Sequence, residues 1–261
     1  MRNSDSSVAP SQEKRIGSGI FQRIVMRERT LLQAKLLEKL HGSPLSQYLT
    51  LCGASALHGV YLHQRWTTGL NFQAPGVLSA SFVELVSASG MPFQRVGSDF
   101  LFTDHVAVSK QASIIVSVTA QHGLPKQPEL LKFAASAGQS VPVRVSPLCD
   151  VMAATLNNIL HDPHPVDFLD AWLCLKIQPD SFYKAFETSV AAETSTGSPR
   201  NHKLPAVSST NDLLWKTKRV WPVELEDVVL EGKGTTLPTF NQVYKDLMAV
   251  IPLPHLVLDD R

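Results

Sequence analysis

The chain has 261 residues, 44% of them hydrophobic and 18% charged, enough to bury a substantial core as one domain or two small ones. Its formal net charge of +1 gives no global electrostatic argument for nucleic acid, and no apolar run approaches the roughly 18–20 residues of a membrane span. Three cysteines without CxxC spacing (Cys52, Cys149 and Cys174), and a polar start at Met1–Ser6 with no signal-peptide core, point to free thiols in a reducing, cytoplasmic setting.

Residues 1–17 are polar and small and read as a loose tail. From Phe21 to Leu40 the apolar residues Ile24, Val25, Leu31, Leu32, Leu36, Leu37 and Leu40 recur at helical spacing, and Gly42-Ser43-Pro44 stops the helix. A short strand at Leu49–Cys52, a helix at Ala54–His63 and a second strand at Leu70–Phe72 follow. A helix is expected over Ala80–Ser89, then strands at Phe93–Val96, Phe100–Thr103, His105–Val108, Ser113–Ala120 and Val141–Val145. The β-branched run between Ile114 and Thr119 fits a central strand. Ser146 reads as an N-cap and Pro147 as the first residue of a helix over Leu148–Leu160, followed by helices at Asp167–Ile177 and Pro179–Val190. Ala192 to Asn211 is rich in Ser, Thr, Pro and Gly and reads as a linker or long loop, and Leu213–Arg219 and Phe240–Val250 read as closing helices. The expected organisation is a tail (1–17), a mixed α/β domain (18–145) and a helical C-terminal region (146–261) with a loop near 192–211.

Two stretches carry candidate chemistry. One is Leu51-Cys52-Gly53-Ala54-Ser55-Ala56-Leu57, a small-residue turn entering a helix, followed by Arg65 through Phe72. The other is Val143-Arg144-Val145-Ser146-Pro147, then Thr155-Leu156, then Val166-Asp167-Phe168-Leu169-Asp170-Ala171-Trp172. In order and spacing these resemble the nucleotidyltransferases of the abortive-infection AbiEii toxin family, which read as a strand, Lys-Gly-Gly-Thr-Ala-Leu, a helix, Arg-x-Ser-x-Asp-x-Asp-Phe, and later an Arg-Asp-x-x-Asp helix. Leu237–Phe240, between the last helices, adds to the likeness. The resemblance spans roughly residues 20–250 and implies a small mixed sheet with flanking helices plus a helical C-terminal region. It also implies a triphosphate cradle at Gly53, Ser55 and Arg65, where backbone N–H groups at a helix start can bind phosphate.

The chemistry departs from that pattern. Nucleotidyl transfer uses Mg²⁺ held by paired carboxylates, because Mg²⁺ prefers hard anionic oxygens. The two acid positions are Gly69 and Asn71 here, and the strand from Ile114 to Thr119 contains no acid. The family lysine before the glycines is Cys52, the later lysine falls at Thr155, and the arginine before Asp167 is Val166. Asp167 and Asp170 remain as an acidic remnant, and Arg65 is kept.

Simpler roles exist for each residue. Gly53-Ala54-Ser55 suits any tight strand-to-helix turn, Arg65 suits a structural ion pair, and Asp167 with Asp170 suits a solvated helix start. His161-Asp162-Pro163-His164 lacks the partner cluster a metal site needs, so no metal site is expected. His58 and His63, five apart, do not share a helix face, and nothing brings Ser55, His58 and Asp104 together as a nucleophile arrangement. Trp172, Trp215 and Trp221 read as packing residues.

The expectation is a mixed α/β, nucleotidyltransferase-like protein with degenerate catalytic motifs and no assured cofactor. It would bind a protein partner, a nucleotide or a nucleic acid in a bacterial defence or toxin–antitoxin-like system, without touching a membrane. One alternative is an active transferase using Mg²⁺ and a nucleoside triphosphate on RNA or protein. There Ser55 would contact the triphosphate, Arg65 would neutralise charge, and Asn71 with Asp104 or Asp167 would form an unusual metal site. The other is a nucleic-acid-binding subunit using Lys216, Lys218 and Arg219 beside Trp215 and Trp221.

Overall fold

The computed structural model describes residues 12–75, 82, 91–104, 112–120, 127–135, 139–195, 207–225 and 237–251. Helix α1 (Gln12–His41) opens the fold and leads through a 3₁₀ turn at Pro44–Gln47 into β1 (Thr50–Cys52). Helix α2 (Gly53–Ala56) continues as a π-helical turn at Leu57–Leu62, which ends on His63 in the left-handed conformation. The remaining strands are β2 (Gly69–Ala74), β3 (Phe93–Val96), β4 (Asp99–Asp104), β5 (Ala112–Ala120), β6 (Glu129–Ala134) and β7 (Ser140–Val145). Five helices complete the order: α3 (Leu148–His161), α4 (Pro165–Ile177), α5 (Pro179–Ser195), α6 (Val207–Glu224) and α7 (Phe240–Met248).

The strands form one seven-stranded sheet in the order β3-β4-β5-β2-β1-β7-β6. The pairs β1–β7 and β2–β5 are parallel and the rest antiparallel, so the sheet is mixed, as expected. Strand alternation sorts its two faces. Leu51, Leu70, Phe72, Phe100, Phe102, Ile114, Val116 and Val145 are buried on one face, which α1 covers with Leu36, Leu37 and Leu40. Gly69, Asn71 and Gln73 of β2, with Ile115, Ser117 and Thr119 of β5, alternate to the other face and keep solvent contact. The helical region packs onto the sheet region through α3 against α2 and through α4 against the π-turn.

Four features differ from the sequence expectation. Helix α1 begins at Gln12 rather than near Phe21, because Gln12-Glu13-Lys14-Arg15 are straight-chain helix formers that need no apolar stripe. Strand β6 was not expected: Glu-Leu-Leu-Lys-Phe-Ala has no β-branched residue, and pairing along β7 imposes its extended form. Helix α3 starts at Leu148 with Pro147, not Ser146, at the N-cap and no side-chain cap bond, since the Ser146 backbone is engaged instead with Leu51 and the Tyr61 hydroxyl. Helices α5 and α6 reach Ser195 and start at Val207, so only residues 196–206 of the expected linker remain outside helix, and they lie outside the described residues. The expected strand His105–Val108 also lies outside them, as does the expected helix at Ala80–Ser89 apart from Phe82, which is helical and buried against Phe100.

Candidate functional site

The turn between β1 and α2 is built around Gly53, whose φ of +58° is the left-handed region that favours glycine. It is also the place of closest approach to β2. A Cβ built there would stand 2.9 Å from Asn71 Nδ2. Ser55 is buried, and its hydroxyl donates to the Cys52 carbonyl at 2.9 Å while accepting from the Asn71 N–H at 3.0 Å. The Cys52 thiol reaches the Asn71 carbonyl at 3.4 Å, and burial pushes its pKa up to about 12, so it stays a neutral thiol. The turn is thus pinned to β2 through the side chains of Ser55 and Cys52.

On the open face of the sheet, Asn71 stands level with Ser117 and Cys52, Gly69 with Ile115, and Gln73 with Thr50 and Thr119. Neither β2 nor β5 contains a charged residue. Gly69 is packed so tightly that a Cβ built on it would lie 2.3 Å from the Ile115 carbonyl oxygen, a backbone atom that cannot swing aside. Gln33 of α1 reinforces this close approach by donating to the Gly69 carbonyl at 3.1 Å and to Thr67 at 3.0 Å. Ile115 itself is 50% exposed. The described donors of this face are neutral amides and hydroxyls, which do not fit Mg²⁺, and among the described residues no group of three His, Cys, Asp or Glu side chains stands together to hold a metal ion.

Charge is concentrated elsewhere. Asp170 of α4 is 3% exposed and Arg65 7% exposed. Arg65 Nε donates to Asp170 Oδ1 at 2.7 Å and its terminal nitrogen to Oδ2 at 2.6 Å, a two-pronged pair. His58 of the π-turn meets the same Oδ1 at 2.9 Å through Nε2, while its Nδ1 is buried without a partner. Burial opposes the charge on Asp170, yet Arg65 and His58 outweigh it and hold the carboxyl at about 2. Burial lowers the His58 pKa against the pull of Asp170. Asp167, one turn earlier, is pushed up to about 6 mainly by burial, against the Asn158 amide that donates to it at 3.5 Å.

The remaining predicted residues are scattered. Thr155 is buried, its hydroxyl bonded back to the Val151 carbonyl in its own helix. The side chain of Asp104 lies outside the described residues. His164 and Asp162 form an exposed pair at 3.6 Å. Lys216 and Arg219 are exposed on α6, and Lys218 sits 4.6 Å over the Trp215 ring. Trp172 and Trp221 pack and donate to Asp246 and to the Pro238 carbonyl. Of the expected site residues, the structure brings Gly53, Ser55 and Asn71 into one cluster, with Gly69 further along the same face of β2, and Arg65 with Asp170 into another. Asp170 is not a solvated helix edge, because it carries the buried pair. The part of His58 was not anticipated; it becomes legible only once the helix after Gly53 is known to widen into a π-turn, which sets that imidazole against α4.

No family model matches the sequence, and no curated protein matches it. Solved structures do. MenT4, a nucleotidyltransferase toxin from Mycobacterium tuberculosis, superposes with a TM-score of 0.51 at 17% identity over 64% of this chain and 65% of the toxin. JHP933 from Helicobacter pylori superposes with a TM-score of 0.56 at 11% identity over 88% of this chain and 91% of that protein. The match to MenT4 spans just under two thirds of the toxin's own length. With the sheet order, the β1–α2 turn and the paired helices after β7, these likenesses show that the chain has the fold of nucleotidyltransferase toxins.

Proposed function

We propose that this chain is a nucleotidyltransferase-fold protein without nucleotidyl-transfer chemistry, acting as a binding component of a bacterial defence or toxin–antitoxin-like system. One observation carries the reading: Gly69, the position of the first metal-binding carboxylate in the resembled motif, is closed to any side chain by the Ile115 carbonyl 2.3 Å from its Cβ site. A lost acid that could be regained by one substitution would say little. Here the strands have closed over the space.

The occupant favoured is a protein partner. The part of the face formed by β2 and β5 is neutral, with a half-exposed Ile115 beside Gly69 and a neighbouring Asn71–Ser117 pair. An apolar centre with amide and hydroxyl neighbours suits a protein surface better than a triphosphate. A nucleotide remains the second reading, resting on the backbone of the Gly53 turn and the Asn71 amide, because Ser55 and Arg65 are engaged inside the fold.

The test is incubation with Mg²⁺ or Mn²⁺, labelled nucleoside triphosphates and total tRNA. No label is transferred on this reading. Robust transfer that disappears in Asn71→Ala overturns it. Thermal shift with millimolar triphosphates separates the two occupants, since only the nucleotide reading gives a rise in Tm.

A further inference from the structure

The sheet ends at β6, which among the described residues pairs with β7 and with no other strand. Its ladder to β7 runs without a slip from Glu129 opposite Val145 to Ala134 opposite Ser140. Just beyond it the Ala135 N–H donates to the Gln139 carbonyl at 2.9 Å, so Ala135 turns its backbone toward β7. An antiparallel ladder alternates this direction residue by residue. The backbone polar groups of Glu129, Leu131 and Phe133 therefore face β7 as well, and those of Leu130, Lys132 and Ala134 face the edge of the sheet. All three outward residues are exposed, Leu130 at 66%.

Edges of folded proteins are commonly blunted by proline, a bulge or a very short strand. Strand β6 has neither proline nor bulge over its 6 residues, whereas β3 at the opposite edge has only 4. Lys132 is the charge at its centre, and among the described residues it joins no ion pair. That lysine selects the occupant. A second copy added antiparallel, with all three outward residues in the ladder, sets Leu130 against Ala134 and Lys132 against its own image. Like charges directly opposite destabilise a strand pair, and opposite charges stabilise it. A strand with a carboxylate opposite Lys132 turns the same contact into attraction. The residues on either side of that carboxylate then lie opposite the half-buried Leu131 and the buried Phe133, which apolar side chains suit.

We propose that the β6 edge binds an extended segment of a partner protein as an eighth, antiparallel strand, with an acidic residue opposite Lys132 between two apolar ones. Main-chain hydrogen bonds to Leu130, Lys132 and Ala134 hold the segment, and the carboxylate fixes its register. Strands β7 and β1 separate this edge from β2, so the site stands or falls independently of the reading given for the open face.

The probes are two capped peptides, Thr-Val-Glu-Val-Ile-Thr and Thr-Val-Lys-Val-Ile-Thr, added to the full chain at millimolar concentration and read by amide NMR and hydrogen exchange. The Glu peptide shifts the amides of Leu130, Lys132 and Ala134 saturably and slows their exchange. It binds about threefold or more tightly than the Lys peptide, and Lys132→Glu reverses that order. No change at the three amides with the Glu peptide overturns the site. Equal affinity of the unaltered chain for the two peptides overturns Lys132 as the register contact. A concentration-dependent dimer of the chain alone that protects the same amides makes a second copy the occupant and overturns the partner assignment. The comparison of peptides on the unaltered chain holds even if Lys132→Glu fails to fold.

Discussion

The open face of the sheet and the interior beneath the π-turn distribute charge in opposite ways. On the open face, β2 and β5 present Gly69, Asn71, Gln73, Ile115, Ser117 and Thr119, without one charged side chain. Beneath the π-turn, Arg65, His58 and Asp170 sit together almost wholly buried. In a metal-dependent enzyme the first arrangement would be expected of a core and the second of an active site. The contrast teaches that a charged cluster is a poor guide to where chemistry would sit: here it is used to hold the fold together. Arg65 and Asp170 join segments on either side of β7, a structural role that needs neither a cation nor a nucleotide.

The comparison breaks most sharply at Asp170. Asp170→Asn leaves the Arg65 guanidinium buried without its counter-charge and is expected to cost about 3–5 kcal/mol in chemical denaturation. A loss below about 1 kcal/mol would mean that the pair is incidental. Next comes Gly69→Asp. The collision with the Ile115 carbonyl is expected to cost about 1–3 kcal/mol, and the double change Gly69→Asp with Asn71→Asp still transfers no label. A stable double variant that does transfer label would return the open face to catalysis. Ser55→Ala removes the acceptor for the partly buried Asn71 N–H and should cost about 1 kcal/mol while leaving any triphosphate response unchanged.

A smaller effect lies in pH. Asp167 is raised to about 6 from an ordinary 3.8, so its contribution to stability is full at low pH and is lost as pH rises through about 6. His58 is lowered from 6.5, so its contribution is present at neutral pH and lost on acidification. The two oppose each other as pH falls from 7 to 5. Asp167→Asn removes one arm and should make Tm fall more steeply on acidification from pH 7 to 5 than in the unaltered chain. Smallest of all, replacing Lys216, Lys218 and Arg219 by Gln should move Tm little, since they project from α6. A steep, salt-dependent loss of RNA or DNA binding in that variant would establish the nucleic-acid surface instead.

Much of this arrangement is legible from residue order. The short strands at Leu49–Cys52 and Leu70–Phe72 are readable on either side of the expected Ala54–His63 helix, and the absence of acids at Gly69, Asn71 and 114–119 is visible without coordinates. What cannot be read is why the absence matters, because the approach of Ile115 to Gly69 depends on a parallel pairing between strands more than forty residues apart. Asp167 and Asp170 look alike in sequence, yet one is pushed up by burial and the other held down by a cation 105 residues away. Strand β6 stays hidden because its neighbour, not its composition, makes it a strand. Arg144 falls inside a stretch read for its likeness to a motif, and the burial of its Nε without a hydrogen-bond partner is a fact of three-dimensional packing alone.

The pair between Arg65 and Asp170 also has a consequence for how the chain is made. Its halves are separated by 105 residues, so at synthesis rates of about 5–20 residues per second the arginine leaves the ribosome roughly 5–20 s before its carboxylate exists. During that interval the nascent sheet must either keep Arg65 in water or bury it uncompensated. Assembly of the sheet's β1–β2 corner is therefore tied to the arrival of α4, and a fragment ending after β7 would be stranded at that stage.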